Sequence, residues 1–121
     1  MLDHVTLNVR NVQRSKGFYE QALRPLGYSA VAEWDHGAGF GTGEGGPDFW
    51  IVERGDVSAP VHVALRAGDQ ESVDAFHRAG LEAGGLDNGA PGIRPDYHER
   101  YYGAYVLDPD GNNIEAVFHG A

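Results

Sequence analysis

The sequence predicts an α+β fold of two copies of a βαβββ module, and three observations predict it. "HVTLNVRNVQRSKGFYEQAL" from His4 and "HVALRAGDQESVDAFHRAGL" from His62 align at a 58-residue offset. The alignment sets His4 on His62, Val5 on Val63, Leu7 on Leu65, Asn11 on Asp69, Phe18 on Phe76 and Leu23 on Leu81, as an internal repeat would. Each copy opens with apolar–polar alternation and passes into an apolar stripe of helical period. Each helical stretch is then followed by three short strand-like segments. The 121 residues suit one domain, 1–121, with modules at about 1–58 and 59–121.

In the first copy Val5, Leu7 and Val9 share one strand face and His4, Thr6 and Asn8 the other. Asn11 is placed to cap the helix that follows, since its side chain can accept from the free N–H groups of the first turn. Phe18, Tyr19, Ala22, Leu23 and Leu26 form that helix's apolar stripe, and "PLGY" stops it. "YSAVAEW", "AGFGTG" and "DFWIVER" are the next strands. The two copies join near residues 56–60. In the second copy Val63 and Leu65 oppose His62, Ala64 and Arg66, Asp69 caps the second helix, and "AGG" ends it. "LDNGAP" is a weak strand, "YYGAYVLD" and "NNIEAVF" stronger ones. "DPDG" joins these two as a type I turn, with Pro109 second and Gly111 fourth.

The formal net charge is −9, from 18 acidic against 9 basic residues, which opposes binding to nucleic acid. No apolar run approaches a membrane span. "MLDHVTLNVRN" enters a strand pattern at once and lacks a signal peptide's apolar stretch, so a cytoplasmic protein is expected. The absence of cysteine removes disulfides, thiolate nucleophiles and thiolate-held zinc.

Glu115 is the one acidic residue in the apolar run Ile114, Ala116, Val117 and Phe118, and a buried carboxylate without a partner costs several kcal/mol. Alternation sets it with Asn113, Val117 and His119. If the modules share one curved sheet, His4 and His62 are pseudo-symmetric on its concave side, where Glu115 joins them. Two imidazoles and a carboxylate suit a divalent metal with positions left for water or substrate. The segment "GIRPDYHERYYGAY", residues 92–105, gathers Arg94, able to hold a carboxylate or phosphate, with Tyr97, His98, Tyr102 and Tyr105 as proton donors or acceptors. His77 is expected to be exposed on the second helix and His119 to fray.

On "LDHVTLNVRNVQRSKGFYEQALRPLGY", "VHVALRA" and "YYGAYVLDPDGNNIEAVFH", the chain resembles the vicinal oxygen chelate superfamily. That superfamily includes glyoxalase I, extradiol dioxygenases, fosfomycin-resistance enzymes and bleomycin-resistance proteins. The resemblance implies an incomplete barrel around a divalent ion (Zn, Ni, Mn or Fe) held by His4, His62 and Glu115. It implies a homodimer and a glyoxalase-like lyase or isomerase acting on a small oxygen-rich substrate, with no nucleic-acid or membrane partner. Glu115, His98 and Tyr102 are the catalytic candidates, and Trp50, Arg94, Tyr97 and Tyr105 the substrate-binding ones. The alternatives are an Fe(II) extradiol-type dioxygenase, using His98 with Tyr102 or Tyr105, and a non-catalytic small-molecule binder. Laying "DFWIV" over "NIEAV" puts Trp50 where glyoxalase I carries a fourth ligand. Asp48 and Glu53 are read as facing away from Trp50, which leaves three ligands and makes Trp50 an apolar wall.

Overall fold

Residues 1–57 and 60–120 are described by the computed structural model, so the junction expected at 56–60 lies partly outside the described residues. Strand β1 (Val5–Val9) leads into helix α1 (Val12–Leu23), a short 3₁₀ turn (Arg24–Leu26), and strands β2 (Ser29–Trp34), β3 (Gly37–Gly41) and β4 (Phe49–Glu53). The second module repeats the order with β5 (His62–Arg66), α2 (Gln70–Glu82), β6 (Leu86–Ile93), β7 (Tyr102–Leu107) and β8 (Asn113–Phe118). Both caps form as the sequence predicts, Asn11 accepting from the Arg14 N–H and Asp69 from the Ser72 N–H. Pro25 sits in the 3₁₀ turn, which Gly27 closes at φ 85°, a conformation that favours glycine.

The strands form two four-stranded sheets, β1-β4-β3-β2 and β5-β8-β7-β6, each with one parallel pair at the repeated position. The sheets are not closed into a barrel. "LDNGAP" is the start of β6, eight residues long. Gly89, at φ 155° with an irregular register around it, weakens its alternation.

Each helix covers the inner face of its own sheet. Leu7, Val9, Phe40, Phe49 and Ile51 lie under Phe18, Tyr19 and Leu23 of α1, while Ala104, Val106, Ile114 and Ala116 lie under Val73 and Phe76 of α2. These residues belong to one continuous core. Full burial of each large apolar side chain contributes about 1.5–3 kcal/mol before conformational entropy is set against it.

A polar latch crosses between the modules. Asp108 Oδ1 accepts from the backbone N–H groups of Asp110 (2.9 Å) and Asn112 (2.8 Å), which tightens the turn before β8. Its Oδ2 accepts from Asn112 Nδ2 (2.9 Å) and from the hydroxyl of fully buried Tyr19 on α1. Asp110 in turn holds Arg10 and the Ser15 hydroxyl at the start of α1. The turn closes with Gly111 N–H donating to Asp108 O at 2.9 Å, as expected for "DPDG". Among the described residues no helix is long and apolar enough to cross a membrane.

Candidate metal centre

The faces turned away from the helices carry the chemistry. Thr6 stands opposite Trp50 and Ala64 opposite Glu115 in corresponding parallel pairs, so Trp50 and Glu115 occupy equivalent places in the two modules. The sequence overlay is correct at that position.

Glu115 is 1% exposed. His62 Nε2 stands 2.8 Å from its Oε1, and the Tyr101 hydroxyl donates to its Oε2. No Lys or Arg forms an ion pair with it among the described residues. Tyr105, opposite Glu115 on β7, places its ring centroid 6.1 Å from that of His62. Burial and then the Glu115 charge raise the Tyr105 phenol, with Arg94 pulling the other way. Tyr101 is raised further by burial and by its hydrogen bond to Glu115. Both phenols therefore hold their protons at neutral pH.

Arg94 lies against this site. Its Cζ is 5.4 Å from the Tyr105 ring centroid and its Nη2 donates to Ala90 O at 2.6 Å. Gly89 and Gly92 of β6 leave the space, since a Cβ at either would come within 3.3 Å and 3.1 Å of the guanidinium. The ion pairs among the described residues do not include Arg94. Tyr97 packs on Tyr101 with centroids 4.7 Å apart. His98 reaches Glu115 through Tyr101, with centroids 5.5 Å apart, and its Nε2 is 3.0 Å from His119 Nδ1.

His4 stands elsewhere. It is half-exposed on the approach to β1, with Nδ1 2.7 Å from Asp3. It shares with His62 a groove of about 450 Å³ between β1 and β5 that Leu2 and Val61 also line. Among the described residues of one chain, no three His, Cys, Asp or Glu side chains gather as a metal would need. Trp50 lies on the open face with His4, Thr6, Pro47 and Val52, its ring over Gly39 and 5.9 Å from that of Trp34.

Four expectations need correction. Tyr102 points to the helix side, donating to Asp74 of α2 at 2.6 Å. It stands one residue out of step with Tyr101, Gly103 and Tyr105, and so cannot serve the Glu115 face. Asp48 is two residues from Trp50 and therefore on its side, exposed and accepting from the Tyr28 hydroxyl at 3.0 Å. Glu53 does face away, and accepts from the Val12 N–H at the start of α1. His77 is mostly covered and pairs with Asp87 at 2.9 Å. His119 is ordered by His98 and Tyr101. Tyr101 was missed although alternation back from Tyr105 reaches it in two steps.

Glu115 with His62 fits half a divalent-metal site, because an anionic oxygen and an imidazole nitrogen meet where the described residues supply no fixed cation. A family model, Glyoxalase/Bleomycin resistance protein/Dioxygenase superfamily, matches residues 1–116. A glyoxalase/bleomycin resistance protein from Albidiferax ferrireducens T118 is 31% identical, covers 99% of both chains, and superposes with a TM-score of 0.84. A glyoxalase/bleomycin resistance protein/dioxygenase family enzyme from Burkholderia phytofirmans PsJN is 19% identical over 98% of each chain, with a TM-score of 0.76. A glyoxalase-related enzyme from Fulvimarina pelagi, also 19% identical, covers 98% of this chain and 87% of its own with a TM-score of 0.76. The last two show the fold alone. No curated protein matches.

Proposed function

Because the chain belongs to the glyoxalase/bleomycin resistance protein/dioxygenase superfamily, we propose that it is a divalent-metal-dependent, glyoxalase-like lyase or isomerase of small oxygen-rich substrates. The observation that carries this reading is Glu115, a carboxylate 1% exposed whose oxygens are met by an imidazole and a phenol rather than a fixed cation. His62 and Glu115 are two ligands. His4 is the third, and a homodimer brings it: the open face of one copy's first module closes over the second module of the other.

A bound ion supplies a Lewis acid for two neighbouring substrate oxygens. The chain's own groups do the rest. Arg94, over the Tyr105 ring with one side-chain hydrogen bond to the backbone, keeps N–H donors for an anionic substrate group. Tyr97 and Tyr105 line the same side, and Trp50 gives the opposing module an apolar wall. His98 packs edge-on against the Tyr101 ring and helps to hold its hydroxyl on Glu115.

That cluster of phenols and imidazoles beside Glu115 favours one second reading, an Fe(II) extradiol-type dioxygenase. Metal analysis of the purified protein separates the two. Iron selects the dioxygenase, while zinc, nickel or manganese selects the lyase. A protein that takes up no metal is a binder.

The ligand assignment is tested by titration calorimetry with Zn²⁺ and Mn²⁺ on His4→Ala, His62→Ala and Glu115→Ala. Each variant is expected to stay folded and to lose tight binding. Wild-type affinity in all three would refute the assignment.

A further inference from the structure

We propose that Tyr101 is a positioning residue that keeps Glu115 a one-oxygen ligand, its hydroxyl occupying Oε2 and leaving Oε1, the oxygen turned to His62, for a divalent ion. This inference rests on the metal reading above and assigns a role to a residue outside the ligand set.

Three observations carry it. The carboxylate is buried, and its two oxygens have different partners, His62 on Oε1 and Tyr101 on Oε2. Room for this arrangement comes from Gly103 on β7. A Cβ there would lie 3.2 Å from Tyr101 Cε1 and 3.3 Å from Glu115 Oε2, pressing on both members of the pair.

The third observation is the grip on the Tyr101 ring. Tyr97, His98 and His119 surround it with centroids at 4.7, 5.5 and 5.3 Å. The Arg100 N–H donates to His98 Nδ1 at 3.0 Å, so neutral His98 carries its proton on Nε2 and donates to His119 Nδ1. His119 directly follows β8, the strand that bears Glu115. Ligand and clamp are thus fixed to the same strand, and the phenol has little freedom to swing off Oε2.

A carboxylate with one oxygen held by a phenol occupies a single coordination position. Released, it can take two, which raises the coordination number and favours larger ions that accept more oxygen ligands.

The test is Tyr101→Phe loaded with Co²⁺, whose d–d absorption weakens as coordination number rises. The variant's absorption is expected to fall below that of the wild type. Its Zn²⁺ affinity should drop about tenfold, as for other groups that orient metal ligands, while Mn²⁺ affinity is retained. Thermal melts of the metal-free proteins check folding. Should Tyr101→Phe not fold, a crystal structure of the cobalt-loaded wild type decides: Oε2 on Tyr101 and off the ion supports the role, and both oxygens on the ion overturn it. An unchanged cobalt spectrum with unchanged affinities overturns the Tyr101 role alone. A wild type that takes up no cobalt overturns the metal reading and this inference with it.

Discussion

Asp108, at 4% exposure, and Glu115, at 1%, are both buried on the second module, and neutralising them should have different consequences. Asp108 accepts four hydrogen bonds from groups fixed around it. In Asp108→Asn the amide oxygen can keep the two turn N–H bonds, but the new NH₂ faces Asn112 Nδ2 and the Tyr19 hydroxyl. The hydroxyl can turn and accept; the Asn112 amide is left without its acceptor. A stranded buried donor costs roughly 1–3 kcal/mol, and loss of charge assistance on the remaining bonds adds about 1, so about 3 kcal/mol in all.

Among the described residues Glu115 has two side-chain partners and no fixed cation. Removing its charge recovers desolvation free energy of about the size lost in the two charge-assisted bonds, so Glu115→Gln should change stability by under ~1 kcal/mol. Urea unfolding of the metal-free proteins in chelator measures both, and a difference of this size corresponds to roughly 10 °C in melting temperature. If Glu115→Gln proves as damaging as Asp108→Asn, Glu115 is a structural carboxylate and the separation drawn between latch and metal site is wrong.

Trp50 lies on the open face, so Trp50→Glu should melt within about 1 kcal/mol of the wild type, as open-face substitutions do. It should bind Zn²⁺ more tightly by supplying a fourth ligand. Collapse of the fold with and without metal would place Trp50 in the core instead. Asp69 caps α2, and its hydrogen bonds from Ser72 hold its carboxyl below the ordinary 3.8. A lowered folded-state value contributes stability above the unfolded value and loses it as pH falls through the folded one. Asp69→Ala should therefore melt below the wild type at neutral pH, with the two curves merging in strong acid. A gap that persists in acid would show that the carboxylate's charge is not the source.

Periodicity and caps were legible because they are local. Asn11 and Asp69, the alternation of β1 and β5, and the helical stripes need only neighbouring residues to be read. The repeat extended that reach, and the Trp50–Glu115 equivalence followed once "DFWIV" was laid over "NIEAV", at a longer offset than the one that aligns the first strands. β6 was hard to read because Gly89 and Gly92 supply no side chains to alternate, and their purpose lies in the Arg94 guanidinium, whose chemistry belongs to another strand. The Tyr101–Tyr102 pair shows the limit of residue type. The two neighbouring tyrosines have opposite destinations, and only the parity carried back from Tyr105 tells them apart. The expected meeting of His4 with Glu115 on one curved sheet fails within the chain, where His4 pairs with Asp3 instead, because it depends on how two sheets are set against each other rather than on either sheet.

The Tyr19–Asp108 contact makes the chain a single contract between its halves. Most of the repeat is symmetrical in its strands and helices. Yet the hydroxyl of the first half is buried against a carboxylate of the second, and Arg10 and Ser15 at the head of α1 are tied to Asp110. Cutting the chain between the copies would strand polar groups on both sides of the cut. The Glu115 strand leaves directly from this turn, so the placement of Glu115 depends on residues about a hundred positions upstream. The strands repeat with near symmetry, while the latch makes each half rely on the other.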